Sequence, residues 1–370
     1  MILFLHNRYR TTGGEERAVE DLMWLVREHL HEDAELISRD SATIGRAGAA
    51  AGLLGGGLRP EHVAAAVRRT GARAVHAHNL NPSFGWRALA AARAAGARTI
   101  LHLHNYRLVC AVGTCFTHGE DCRRCHGRNT LPGIRLNCRG TGAEAAVYGA
   151  ALALWQRRLV AEADAVVVPS AAAHQRLQEL GAPLLRPVHV VGHVVREFAT
   201  ASTAERGRHA LVASRLAPEK GIDVAIAACA AAGLPLVVAG DGPQRAQLEA
   251  RAAGTDTRFA GHVDAVELAR LRADAGLAIV PSLAAETYGL AAAEAMAAGV
   301  PVVASAVGAL PELCGAGGLV APGDAAALAM AARERFGDAA AGEDGRRRVL
   351  KLAAPAAVAP ALAAVYERLS

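Results

Sequence analysis

Hydrophobic positions along the chain alternate between two periods. Short β-branched runs of four to six residues are followed by longer alanine-rich stretches with a helical repeat, which is the pattern of parallel strands joined by crossover helices. In the first half the pattern predicts strands at Ile2–His6, Ala34–Ser38, Ala74–His78, Thr99–His104, Ala165–Pro169 and Pro187–Val191. Helices are expected near Glu15–His31, Glu61–Thr70, Pro82–Ala95, Gly142–Ala163 and Ala171–Leu180. The Gly- and Ala-rich segment Ala47–Gly57 reads as a flexible loop or a frayed helix.

The rhythm lapses at Gly192–Gly207 and then restarts. Strands are predicted at Ala210–Ser214, Leu236–Ala239, Thr257–Ala260, Leu277–Pro281, Pro301–Ser305 and Leu319–Ala321. Helices fall at Gly221–Ala232, Pro243–Ala253, Asp264–Ala273, Gly289–Ala298, Asp324–Phe336 and Pro355–Leu369. The expected organisation is an α/β domain over 1–190, a linker over 191–207, a second α/β domain over 208–352, and a final helix over 353–370 that crosses back to the first domain. Two Rossmann-like, doubly wound parallel-sheet domains facing across a cleft would bind ligands at the carboxyl ends of their strands.

Composition narrows this picture. A chain of 370 residues with 52% hydrophobic residues can fill two cores, and 20% charged residues are too few for a disordered chain. The net charge of +5 suits an anionic ligand or an acidic membrane surface. The basic residues are scattered, which argues against nucleic acid. The start lacks the basic leader of a signal peptide. No apolar run approaches the ~20 residues that span a bilayer, the longest candidate being Ala145–Trp155. A cytoplasmic protein, at most peripheral at a membrane, is the expectation. Lysine stands only at Lys220 and Lys351, with arginine supplying the other strong positive charge.

Lys220 sits where chemistry is expected. After the strand ending at Ser214 the chain reads Arg215-Leu-Ala-Pro-Glu-Lys220-Gly221. Two cations beside a helix start make an anion site, since free N–H groups and the helix dipole add to their charge; the plainer alternative is a surface turn with a Glu219 salt bridge. Gly240-Asp-Gly-Pro243 forms another strand-to-helix turn whose glycines let a ligand approach the backbone. A third loop carries Glu286, a helix begins near Gly289, and Glu294 lies within it among alanines. A carboxylate there needs a partner: a pair of sugar hydroxyls, or else an arginine or solvent. The amides of Tyr288, Gly289 and Leu290 at that helix start suit a diphosphate.

The segment Ile279–Val303, with two glutamates eight residues apart, resembles the signature of retaining glycosyltransferases of family 4. The Arg215–Lys220 loop, Gly240-Asp-Gly-Pro and Phe259-Ala-Gly-His262 follow that family's order. The resemblance implies a GT-B fold and an EC 2.4 transferase that moves sugar from a nucleoside-diphosphate donor, UDP- or GDP-linked, to a sugar, lipid-linked or small-molecule acceptor hydroxyl with retention. It implies that Glu294 binds the ribose hydroxyls and Glu286 the donor sugar. Arg215 and Lys220 would hold the diphosphate as leaving group, and Tyr288, Gly289 and Leu290 would add backbone contacts. Transfer then requires no metal. A nucleotide-sugar epimerase or hydrolase of the same architecture is the first alternative, and a zinc-bearing nucleic-acid module the second.

At the amino end, Thr11-Thr12-Gly13-Gly14 follows the first strand. It resembles the family's loop near donor phosphates and acceptor, with Gly13 and Gly14 on the donor side and Thr11 and Thr12 toward the acceptor. The run His102-Leu-His104-Asn105 ends another strand, and alternation places both histidines on one face. His104 matches a family histidine near the donor sugar; Asn105 stands where the family has Asp. His78 and His76 end the preceding strand, as acceptor contacts or as buried structural histidines.

Five of the seven cysteines, Cys110, Cys115, Cys122, Cys125 and Cys138, share the loop 107–141. Cys122-Arg-Arg-Cys125 has the spacing zinc prefers. A structural zinc, a disulfide and free thiols are the three readings of this loop. Its arginines suggest an acceptor cover, a contact with anionic lipid, or a solvated face.

Overall fold

The alternation of β-branched and alanine-rich segments folds as the pattern predicts. The computed structural model describes residues 1–9 and 13–368. Along the first half the elements are β1 (Ile2–Arg8), α1 (Gly14–His29), β2 (Ala34–Asp40), α2 (Arg46–Leu54), α3 (Pro60–Thr70), β3 (Ala74–Ala77), α4 (Gly85–Ala94), β4 (Arg98–His102), the two-residue strands β5 (Phe116–Thr117) and β6 (Glu120–Asp121), α5 (Leu131–Arg135), α6 (Gly142–Ala161), β7 (Ala165–Val168), α7 (Ala171–Glu179) and β8 (Val188–Val190). The second half gives β9 (His209–Ala213), α8 (Ile222–Ala232), β10 (Leu236–Ala239), α9 (Arg245–Arg251), β11 (Thr257–Gly261), α10 (Ala265–Ala273), β12 (Ala275–Val280), α11 (Leu290–Ala297), β13 (Val302–Ser305), α12 (Leu310–Cys314), β14 (Leu319–Val320), α13 (Ala325–Arg335), α14 (Ala339–Ala353) and α15 (Pro355–Glu367).

The chain divides into two units. The first comprises Met1–Cys115, Cys122–Val194 and Val358–Ser370; the second comprises Val195–Ala357 with the Phe116–Asp121 hairpin. Each holds one six-stranded parallel sheet. The order is β2-β1-β3-β4-β7-β8 in the first and β11-β10-β9-β12-β13-β14 in the second. Counted within its own unit, the second sheet runs 3-2-1-4-5-6, the doubly wound dinucleotide-fold order. Its order reverses between β9 and β12, so ligand chemistry belongs in the loops that follow those two strands.

The first core gathers Ile2 and Phe4 of β1, Val19, Leu22 and Val26 of α1, Ile100 of β4 and Val167 of β7. The last helix completes it with Val358, Leu362, Val365 and Tyr366, all at most 2% exposed. The second core packs Ala210 and Val212 of β9 with Ile222 and Ile226 of α8 and Leu328 of α13. Branched and aromatic side chains dominate both clusters, with alanines such as Ala74, Ala165, Ala225 and Ala329 between them.

Of the two readings of Ala47–Gly57, the structure takes the helical one, as α2, with Gly52 and Leu53 buried. One element departs from the expectations. The stretch 339–353, for which no element was expected, is a helix of 15 residues. Running on into α15, it makes one apolar helical stretch, Ala339–Glu367, long enough to cross a bilayer, with a window of mean hydropathy 1.7. This corrects the reading that no segment has that length. The stretch serves as core: Val349 and Ala353 are buried in a cluster of the second unit and Val358–Tyr366 in that of the first.

Candidate functional site

The second unit brings its loops together by backbone hydrogen bonds. The Glu219 carbonyl accepts from the Leu283 amide at 2.9 Å, tying the loop after β9 to the loop after β12. Gly240 closes the β10 turn against the first of these loops. Its φ is 140°, and a Cβ there would lie 1.9 Å from the Ser214 carbonyl oxygen. The close approach that this glycine permits is to the chain's own backbone.

The side chains of these loops pair with one another. Lys220 Nζ donates to Glu286 Oε1 at 2.6 Å, and Ser282 Oγ donates to the same oxygen at 2.5 Å. Burial alone would raise the Glu286 carboxyl, but the Lys220 charge and the two hydrogen bonds, with Arg215 beyond, hold it below its usual range. Arg215 reaches back to Glu219 at 2.5 Å, the salt bridge of the plainer alternative. Glu294 pairs with Arg272 of α10, both about 15% exposed. In place of free sugar-binding carboxylates, Glu286 and Glu294 thus each carry a cationic partner. Burying an unpaired charge costs several kcal/mol, and the cationic partners offset that cost. Gly289 caps the start of α11, and the first-turn amides from Leu290 onward lack intrahelical partners. Tyr288 is buried, which pushes its hydroxyl well above the usual tyrosine range.

In the first unit, α1 begins at Gly14 with Gly13 as its cap. The Gly13 amide donates to Glu16 Oε2 at 2.9 Å, and the Tyr9 amide donates to Glu16 Oε1 at 3.1 Å. The Gly13 amide expected to face a ligand is thus used within the chain. Thr11 and Thr12 lie outside the described residues. His104 follows β4 and is 9% exposed. Asn105 donates to Glu15 Oε2 and to the Tyr9 hydroxyl, each at 3.1 Å, and Tyr9 donates to Glu15 Oε2 at 2.7 Å. Glu15, which the sequence reading did not single out, thus sets a carboxylate beside Asn105. Burial raises the Glu15 carboxyl, opposed by His6 and Tyr9. Glu15, His78, His102, His104, Asn105 and Arg107 line part of an open cavity.

The histidines expected at this strand edge form a buried stack. Ring centroids lie 4.7 Å apart for His76–His78, 4.1 Å for His102–His104 and 5.3 Å for His104–His193. Burial holds every one of these imidazoles below its ordinary range, to about 3 for His76 and about 4 for His193. His193 joins the cluster from a segment where no site residue was expected, while His6 lies beside Tyr9, Glu15 and Glu16.

The cysteines of the 107–141 loop form no disulfide among the described residues. Cys115 and Cys125 are buried. A hydrogen bond from Cys115 draws the Cys110 thiol down to about 6, while burial pushes Cys125 up to about 11.

Known proteins give these sites a context. Residues 25–193 match the family described as "Glycosyl transferase 4-like domain", and residues 207–338 match "Glycosyl transferases group 1". The chain is 36% identical over 201 residues to a glycogen synthase of Mycobacterium tuberculosis, covering 50% of this chain and 48% of that protein. It is 45% identical over 105 residues to that organism's GDP-mannose-dependent alpha-(1-6)-phosphatidylinositol dimannoside mannosyltransferase, covering 27% of each. The chain thus spans about half, or less, of the length of these curated relatives. Sucrose-phosphate synthase from Thermosynechococcus elongatus shares the fold, with a TM-score of 0.74 at 19% identity over 100% of this chain and 98% of that one. It is a GT-B-type α/β fold of two parallel-sheet units. One family matches within each unit, and the chain belongs to the group 1, family-4-type glycosyltransferases.

Proposed function

We propose that the chain is a retaining glycosyltransferase of the EC 2.4 class that takes its sugar from a nucleoside diphosphate. The observation that carries this reading is the Lys220–Glu286 pair at the reversal point of the second sheet, where a doubly wound domain receives its nucleotide. The mycobacterial mannosyltransferase is named as GDP-mannose-dependent, which supports a nucleotide-linked donor of this kind.

In this reading the diphosphate enters between Arg215, Lys220 and the amides of Tyr288, Gly289 and Leu290. The phosphate draws Lys220 and Arg215 away from Glu286 and Glu219. Glu286 is then released to accept hydroxyl hydrogens of the donor sugar, with Ser282 holding its other contact. Glu294 turns from Arg272 to the ribose hydroxyls. Each resident ion pair thus stands in for a contact that the donor makes to Glu286, Glu294, Lys220 or Arg215. As the glycosidic bond to phosphate breaks, negative charge grows on the leaving diphosphate, and the two cations with the helix-end amides stabilise it. The acceptor hydroxyl passes its proton to the departing phosphate, and no metal is assigned to this step.

The acceptor side lies in the first unit, where His104, Glu15 and Asn105 line the cavity. Its hydroxyl-bearing acceptor is a sugar, a lipid-linked sugar or a small molecule. Cytoplasmic action, at or near a membrane surface, goes with a lipid-linked acceptor. The test is a screen of UDP- and GDP-sugars by thermal shift, followed by nucleotide release with and without glycan and glycolipid acceptors. Acceptor-dependent release supports transfer. Equal release without any acceptor identifies a hydrolase instead, and conversion to a second nucleotide sugar with no nucleotide released identifies an epimerase.

A further inference from the structure

We propose that His76, His78 and His102 form a binding site for a zinc-class divalent ion inside the first unit. The three residues lie on or just beyond neighbouring parallel strands, with His76 paired to Ile100 in register. Each offers a ring nitrogen, and the three nitrogens lie within 4.8 Å of one another. All three side chains are at most 3% exposed.

The hydrogen bonds around them have the form of a metal site's outer shell. The Tyr366 hydroxyl lies 2.8 Å from His76 Nδ1, which leaves Nε2 facing His102. His104 Nε2 lies 2.7 Å from His78 Nδ1. A ligating imidazole is usually oriented in this way through its second nitrogen. His76 Nε2 and His102 Nδ1 are 3.2 Å apart. Bonds of about 2.0–2.1 Å in a tetrahedron place two ligand nitrogens about 3.3–3.4 Å apart, close to that spacing. His78 Nε2 is buried without a hydrogen-bond partner, an arrangement that costs roughly 1–3 kcal/mol if nothing binds there.

The ligand chemistry selects the ion. Neutral imidazoles suit zinc, copper and nickel and disfavour magnesium or calcium, which take oxygen. His78 and His102 also line the open cavity, which gives the ion its entry path and a water for its fourth position. Three histidines and water is a recognised zinc set. The inference takes His78 out of the acceptor contacts and does not otherwise depend on glycosyl transfer.

The test uses the full chain, stripped with a chelator and titrated with zinc chloride. Zinc K-edge absorption should show a nitrogen shell at about 2.0–2.1 Å, and zinc should raise the Tm. His78→Gln and His102→Gln should abolish that binding, and Tyr366→Phe should weaken it about 10- to 100-fold. A mixed nitrogen and sulfur spectrum is resolved by repeating it on Cys122→Ser/Cys125→Ser, in which the nitrogen shell must persist. No zinc bound at micromolar concentration, a shell of sulfur alone at about 2.3 Å, or unchanged affinity in both histidine variants overturns the proposal. Should the histidine variants fail to fold, the wild-type spectrum decides alone.

Discussion

Lys220 Nζ and Glu286 Oε1 are 2.6 Å apart, although they stand 66 residues apart in the chain and on loops after different strands. The pair is partly buried, with exposures of 25% and 18%. Removing the cation strands a carboxylate that burial already disfavours. Lys220→Met should cost about 1–3 kcal/mol of stability, less than the roughly 3–5 kcal/mol of a fully buried pair because water reaches both groups. It should lower kcat/KM by about 10²–10³ through loss of leaving-group stabilisation. Urea denaturation and initial-rate kinetics measure the two effects; wild-type kinetics would end the diphosphate assignment.

Arg272 and Glu294 form the second resident pair. Glu294→Gln keeps the shape and loses the charge. It should weaken nucleotide binding by about 1.5–3 kcal/mol, the worth of hydrogen bonds to a charged group. Arg272→Gln should strengthen nucleotide binding, since Glu294 no longer has to leave a cation to meet the ribose. Isothermal titration with UDP and GDP checks both signs, and a weaker complex in Arg272→Gln contradicts the exchange of partners.

The histidine stack makes stability depend on pH. These imidazoles ionise near 6.5 when unfolded and are held lower in the fold by burial, to about 4 for His193 and about 3 for His76. Below pH 6.5 the unfolded chain therefore binds more protons, and stability falls as pH falls. The contribution is complete above about 6.5 and drains away towards 4 and below. Each such group removes about 1.4 kcal/mol per pH unit over its own window. In chelator, Tm should drop steeply between pH 6.5 and 4, and His193→Phe should flatten the slope. A Tm that is level across that range refutes the neutral buried stack.

Two glycines should respond in opposite ways. Gly240→Ala places a methyl 1.9 Å from the Ser214 oxygen at a φ that L-residues avoid, and should cost more than about 3 kcal/mol. Gly14 has no atom within 4 Å of its would-be Cβ and opens α1. Gly14→Ala should leave stability unchanged or raise it by up to about 1 kcal/mol. Chemical denaturation of the two variants side by side checks this.

Much of the architecture was legible because each β-branched run and its following alanine-rich helix obey one period apiece. The loop after β9 and the Glu286–Glu294 segment were also legible, since chemistry at strand ends follows from topology. Partners were not. Arg272 and Ser282 carry no local signal, and only the packing of α10 near α11 and of Ser282 near Glu286 reveals them. Glu15 read as an ordinary first-turn acid of a helix, until Tyr9 and Asn105 closed on it. Helix α14 was missed because Gly342 and Gly345 and a run of arginines blur its apolar stripe. Gly342 is there for contact: a Cβ would lie 2.1 Å from the Gly299 oxygen.

The last helix has a consequence for how the chain comes to be folded. Leu362, Val365 and Tyr366 fill the same core as Ile2 and Phe4, and Tyr366 is bonded to His76. The opening half of the polypeptide is thus left with an unfilled hole while the ribosome makes everything between. Its final consolidation waits for residues made more than 150 positions after its last strand, β8, is complete. A chain ending at Ala354 should expose that apolar surface and aggregate, and adding residues 355–370 as a separate peptide should rescue it.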